Sequence, residues 1–201
     1  SSTMKGSFAP PPPPPPPPLK PDGLRLDFKK PDGAIETVYA KYHPLGIKHN
    51  YVAPIVAHDF TINSYAKMEL GVKDGWKLVR IADEELKENP NFDQVNDKLS
   101  NYMKEFPLWP LALEFRKTAD AGETHVYKFV ERPIGVEFSN VAPIQVGTVF
   151  KGSPAARQGV EVGWYITRIG EYDVHENHNF KEVMKYFKEG VNPLESSGKT
   201  Y

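Results

Sequence analysis

The stretch Gly152–Gly170, GSPAARQGVEVGWYITRIG, decides how the chain is read. Ser153 is placed to cap a helix, Pro154 suits the first helical position, and Gly159 supplies the stop. Tyr165, Thr167 and Ile169 then alternate with Trp164, Ile166 and Arg168, which is the period of a strand. No elbow motif surrounds Ser153, so it is read as a cap and not as a nucleophile. A fainter version, KMELGVKDGWKLVRIA, occupies 67–82, and the tryptophans that close the shared Gly-Val-x-x-Gly-Trp, Trp76 and Trp164, stand 88 positions apart.

Working outward, the repeat extends over most of the chain. LRLDFKK at 24–30 returns as LALEFRK at 111–117, and ETVYAKYHPLGIKHNYVAPI at 36–55 as ETHVYKFVERPIGVEFSNVAPI at 123–144. NFDQVNDKL at 91–99 returns as NFKEVMKYF at 179–187. A nearly constant offset means one duplicated unit. The expected organisation is a tail at 1–23, a first unit at 24–110, a second at 111–194 and a tail at 195–201. Each unit reads as a hairpin, two short strands broken by the Pro of VAPI, a short helix, a strand and a longer helix. The long helix starts at Asn179, with Phe180, Val183, Met184 and Phe187 on one stripe and Lys181, Lys185 and Lys188 on the other. Its first copy carries Phe92, Val95, Leu99 and Met103. The fold class is therefore α+β and strand-rich: two partly open barrels, each with two helices, behind a polyproline II tail.

Composition narrows the function. With 25 Lys+Arg against 26 Asp+Glu the formal charge is -1, which offers no electrostatic footprint for nucleic acid. The chain has no cysteine. Disulfides and thiolate chemistry are thereby excluded, and a reducing compartment, cytoplasm or plastid stroma, is expected. No apolar run reaches the length of about 18 residues that a membrane span needs. No phosphate loop or dinucleotide motif occurs, and His175 and His178 lack the further ligands a metal requires. No cofactor, no metal and no enzymatic activity are expected. The chain opens at Ser1, as either a trimmed piece or a mature chain that has lost a targeting peptide would, and both stay open.

Pro10 to Pro18 are nine consecutive prolines. With φ fixed and no backbone donors, they form a polyproline II rod of roughly 28 Å. The rod is either a spacer or a docking strand for an aromatic-lined groove, with Pro10, Pro15, Pro18 and Lys20 as its contact residues.

PIGVEF at 133–138, then GSPAARQGVEVGWYITRIGEYDV, then the long helix, resembles the PDZ domain family in the order and spacing of three separated motifs. The first copy is similar but eroded, without SPAA and with AKMEL in its place. Both copies carry Gly-Trp where the family has Gly-Asp, and the paired Trp are expected to pack, with contact between the units the first place to look. The family's last strand is missing after the long helix. LALEF before the second unit, like LRLDF before the first, stands in for it, as in the circularly permuted form found in plant and bacterial protease-associated modules.

The resemblance implies a groove in which the amides of Ile134, Gly135 and Val136 receive a peptide's terminal carboxylate, lined by Phe138, Phe180, Met184 and Phe187. A second, more polar and weaker groove is implied at Leu45, Gly46, Ile47, Phe92 and Leu99, with His49 and Asn96 at corresponding places. The same apolar residues are also what a core of about 85 residues needs. The expected partners are other proteins, offering a C-terminal or internal peptide with apolar side chains, or a groove for the proline rod. Lys199 in the terminal GKTY argues against the chain binding its own end. The function expected is a non-enzymatic interaction scaffold or structural subunit. The alternatives are a peripheral accessory subunit of an organellar, photosynthetic-type membrane complex, and a regulatory module associated with a protease.

Overall fold

The computed structural model describes residues 22–119 and 122–201. Pro10, Pro15, Pro18 and Lys20 lie outside the described residues.

Alternating Leu24, Leu26 and Phe28 form β1 (Leu24–Lys29), which the turn Lys30–Gly33 returns into β2 (Ile35–Ala40). Gly33 takes φ 89 there, a left-handed conformation that glycine adopts without steric cost. The first unit continues through β3 (Ile47–Lys48), β4 (Val56–Ala57), β5 (Asp59–Phe60), α1 (Tyr65–Met68), β6 (Trp76–Ile81), β7 (Glu84–Glu85) and α2 (Phe92–Met103). Its sheet runs β2-β1-β6, with β4 and β7 both pairing β6. The leading strand thus sits in the middle of the sheet, paired on both edges.

The second unit repeats the plan. It contains β8 (Leu111–Arg116), β9 (Thr124–Phe129), β10 (Glu131–Arg132), β11 (Val136–Phe138) and β12 (Val146–Val149). After these come α3 (Pro154–Gln158), β13 (Tyr165–Ile169), β14 (Tyr172–Asp173), α4 (Phe180–Val191) and β15 (Glu195–Ser196). Its sheet order is β9-β8-β13-β14, which matches β2-β1-β6-β7. Asn91 and Asn179 cap the long helices by accepting the amides of Gln94 and Glu182, as their common sequence start requires.

The short helix expected of each unit is present in both and capped alike: Ser64 accepts the Lys67 amide at 3.2 Å as Ser153 accepts that of Ala156. Two expectations are corrected. The sheets are open and do not close into barrels: β3–β5 and β11–β12 form separate two-stranded sheets, and β11–β12 meets β13 only at one end, where the Val146 amide donates to the Trp164 carbonyl and the Gly163 amide to that of Val146. Residues 195–201 are more than a tail, since β15 pairs in parallel with β10. The Glu195 amide donates to the Val130 carbonyl and that of Ser197 to Arg132. In the first unit the segment after α2 runs the same way beside His43, and leads into β8.

Buried side chains fall into two clusters. Leu26, Phe28, Leu78, Ile81 and Val95 belong to the first; Leu111, Leu113, Phe115, Ile166 and Val183 belong to the second. Ile62, from the corner before α1, is buried in the second cluster. Half-buried Leu108, at the end of the first unit, also packs against that cluster.

Candidate functional site

The loop Pro44–Ile47 is held from behind. The Leu45 carbonyl accepts the Ala66 amide at 2.8 Å and the Ser64 hydroxyl at 3.2 Å. The Gly46 carbonyl accepts the Thr61 amide at 2.9 Å. That last bond makes Ile47 and Phe60 a non-hydrogen-bonded pair of the β3–β5 ladder, so the Ile47 N–H turns away from β5. The amides of Leu45 and Gly46 donate to no group among the described residues. Three successive donors are therefore left without an acceptor among the described residues, on residues that line one cavity, a combination suited to an anion. Gly46 has φ 77, and a Cβ there would stand 2.7 Å from Thr61 Oγ1 and 2.9 Å from the Ser64 Cα, so only glycine fits.

Beside these donors lies a cavity of about 320 Å³. Phe28, Ile55 and Leu78 floor it, while Leu45, Ile47, Leu99 and Met103 form its walls. Its rim is polar, with His43, His49, Asn96, Ser100 and Lys104. His43 Nδ1 lies 2.6 Å from the Phe106 carbonyl. A carbonyl can only accept, so Nδ1 carries the proton and a neutral His43 keeps Nε2 as an acceptor.

The second unit builds the same loop and fills the space. The Ile134 carbonyl accepts the Ala155 amide at 3.0 Å, and the Gly135 carbonyl accepts the Phe150 amide at 2.9 Å. Gly135 has φ 85, and a Cβ there would collide with Ser153. What differs is the side chains. Phe138 and Phe187 meet edge to face with centroids 5.1 Å apart. The corresponding first-unit residues are His49 and Leu99. His49 turns to the Phe92 ring at 4.9 Å and to Tyr51 at 5.6 Å, while Leu99 is too short to span the gap. The groove read as the weaker is the open one.

The residues picked from sequence therefore separate. Leu45, Gly46, Ile47 and Leu99 line the first-unit cavity, and Phe92 sits at its far end against His49. Ile134 is a buried member of the second core, and Val136, Phe138, Phe180 and Phe187 pack against that core. Met184 lies outside it, in a shallow depression on α4.

The tryptophans do not join the units. Trp76 packs on Phe28 with Lys30 Nζ 5.4 Å above its ring. Trp164 packs on Phe115 and stacks with His125, with Lys117 Nζ at 5.6 Å. Each indole is covered by a lysine of its own unit, just past the end of β1 or β8. Contact between units comes instead from Ile62 and Asn63, with Lys67 beside Glu171 and Tyr172. The signal for this corner was present in the sequence as Ser64-Tyr65-Ala66, which parallels Ser153-Pro154-Ala155, but with Ile62-Asn63 where the second copy has Lys151-Gly152.

No helix among the described residues is long and apolar enough to cross a membrane. No protein-family profile, curated protein or solved structure matches the chain.

Proposed function

We propose that the chain is a non-enzymatic interaction scaffold in which the first unit receives the C-terminal segment of a partner protein, while the second is a rigid docking block. The observation that carries this reading is the pairing of three outward amides at Leu45–Ile47 with an apolar cavity next to them. A terminal carboxylate would take the donors and its apolar last side chain the cavity, as the upstream peptide added along β3. The resemblance of both units to permuted PDZ domains supports the same reading, and so does the placing of β1 and β8 inside their sheets. The second unit retains the donors but not the space.

The test is an array of peptides ending in Leu, Ile, Val or Phe, each with a free carboxylate or a terminal amide, probed with the whole chain. Free-acid peptides are expected to bind, and amidated ones to bind at least tenfold more weakly, a difference of about 1.4 kcal/mol. Leu99→Phe with His49→Phe, which imports the second unit's residues, should abolish the signal. Equal binding of both peptide forms, or binding untouched by the double variant, would remove the reading.

A further inference from the structure

The long helices α2 and α4 share a cap, a first Phe and a core Val, yet their outer faces carry opposite charge. Positions matched by the repeat read Asp93, Asp97 and Ser100 on α2, and Lys181, Lys185 and Lys188 on α4. All six are exposed, so the fold accepts either sign at these places and packing does not choose between them. The choice falls to whatever meets the face. On α4 the three lysines are in no ion pair among the described residues. Glu182, the acid within the same turns, is engaged by the Tyr186 hydroxyl at 2.6 Å.

The lysines surround apolar surface. Phe180 and Met184 lie half-buried in a shallow depression bordered by Lys181, Lys185 and Lys188, with Glu189 at its edge. Where Met184 stands, α2 has the polar Asn96. The α4 face thus combines an apolar floor with a row of three lysines spanning about 10 Å along the helix, against which Glu182 and Glu189 are the acids on the same turns.

We propose that the outer face of α4 docks an acidic segment of another protein that carries an apolar side chain between its carboxylates. The apolar group sits over Met184 and Phe180, and the carboxylates reach the lysines. A helix with acids at i, i+4 and i+7 matches the row. A lipid surface fits less well, because Phe180 and Met184 lie recessed and do not project from the helix as insertion into headgroups would need.

The test uses the whole chain and a labelled 12-residue helical peptide with Glu at i, i+4 and i+7 flanking Leu, beside the same peptide with Lys for Glu and vesicles containing phosphatidylserine. The Glu peptide should bind, and the Lys peptide should not. Raising salt from 50 to 300 mM should weaken binding roughly tenfold, since exposed charges are screened within a few ångström at high ionic strength. Lys181→Asp with Lys185→Asp should weaken it about tenfold as well; these are the residues α2 already carries at exposed positions, so the helix is retained, which circular dichroism checks. Leu99→Phe, which closes the first unit's cavity, should leave this binding unchanged and so separates the two sites. Failure of the Glu peptide to bind, affinity indifferent to the aspartates or to salt, or binding to the vesicles in place of the peptide would overturn the proposal.

Discussion

Asn63 of the first unit lies so close against Gly170 of the second that a Cβ on Gly170 would stand 2.8 Å from the Asn63 Cα. Its polar groups are all used, toward Glu171 and Ala112 of the second unit and toward Trp109 and Pro110 at the end of the first. Its amide donates to Glu171 Oε2 at 2.8 Å, and its carbonyl accepts from Trp109 Nε1 at 3.1 Å. Its side chain donates to the Pro110 carbonyl at 2.9 Å and accepts the Ala112 amide at 3.4 Å. With φ 60 and little exposure, Asn63 is one of the few non-glycine residues suited to that backbone. The corresponding corner of the second unit, Lys151-Gly152, is exposed and holds nothing. Ile62 and Asn63 therefore set how the second unit is fixed to the first.

Asn63→Ala removes two side-chain hydrogen bonds and places alanine in the left-handed region, so it should cost roughly 2–4 kcal/mol. Gly170→Ala should cost about 1–3 kcal/mol, because its new methyl meets backbone that cannot swing aside. In urea unfolding followed by Trp fluorescence, both variants are expected to split one transition into two as the units uncouple. A single shifted transition would mean that the seam does not link their stabilities.

Acid should act on the first sheet through Asp27. Burial pushes its carboxyl up, but hydrogen bonds from Arg25 and Thr37 and the charges of Arg25 and Arg80 outweigh this and hold it below the usual carboxylate range. Its folded pKa is thus below the unfolded value of about 3.9. The stabilisation is present above that value and is lost as pH falls through the folded pKa. Asp27→Asn should cost about 1–2 kcal/mol at neutral pH, because Asp27 is buried but its arginine partners are part-exposed, and should flatten the fall in stability below about pH 4. An acid limb unchanged by the substitution would assign the effect to other carboxylates.

Ser64 joins two jobs, capping α1 and donating to the Leu45 carbonyl. Ser64→Ala should cost about 1–2 kcal/mol and loosen the amide loop, lowering peptide affinity more than a distant variant of equal stability cost. Calorimetric titration against thermal unfolding separates the two effects.

In the second unit Phe138→His with Phe187→Leu should open the closed groove at a cost of roughly 1–3 kcal/mol. The variant should gain binding of free-acid, apolar-ended peptides. If no binding appears, side-chain filling is not what closes that groove.

Much of this architecture was legible from local chemistry. The repeat offset, the Ser153-Pro154 start with its Gly159 stop, the Asn caps of the long helices and the hairpins all depend on residues a few positions apart. What stayed hidden depends on pairs far apart in the chain. Whether Phe138 lines a groove or fills it is decided by Phe187, and periodicity shows an apolar face without showing what lies opposite. Read alone, the aromatics made the second groove look the better one, while His49 and Asn96 made the first look more polar and weaker, although the size of His49 and Leu99 leaves the cavity open. Asn63 drew no attention in the sequence, because its partners Ala112 and Glu171 belong to the other unit and Trp109 and Pro110 lie far along the chain. The Gly-Trp pair suggested contact between units, but the lysine that covers each indole belongs to that indole's own unit.

The central claim, an open carboxylate groove in the first unit, is tested most directly by amide chemical shifts. Peptides ending in Leu or Phe with free carboxylates would be titrated into isotope-labelled chain. The account predicts saturable shifts of the Leu45, Gly46 and Ile47 amides, absent with the amidated peptides, while Ile134, Gly135 and Val136 stay still. Shifts at Ile134–Val136 instead, or none at Leu45–Ile47, would contradict it.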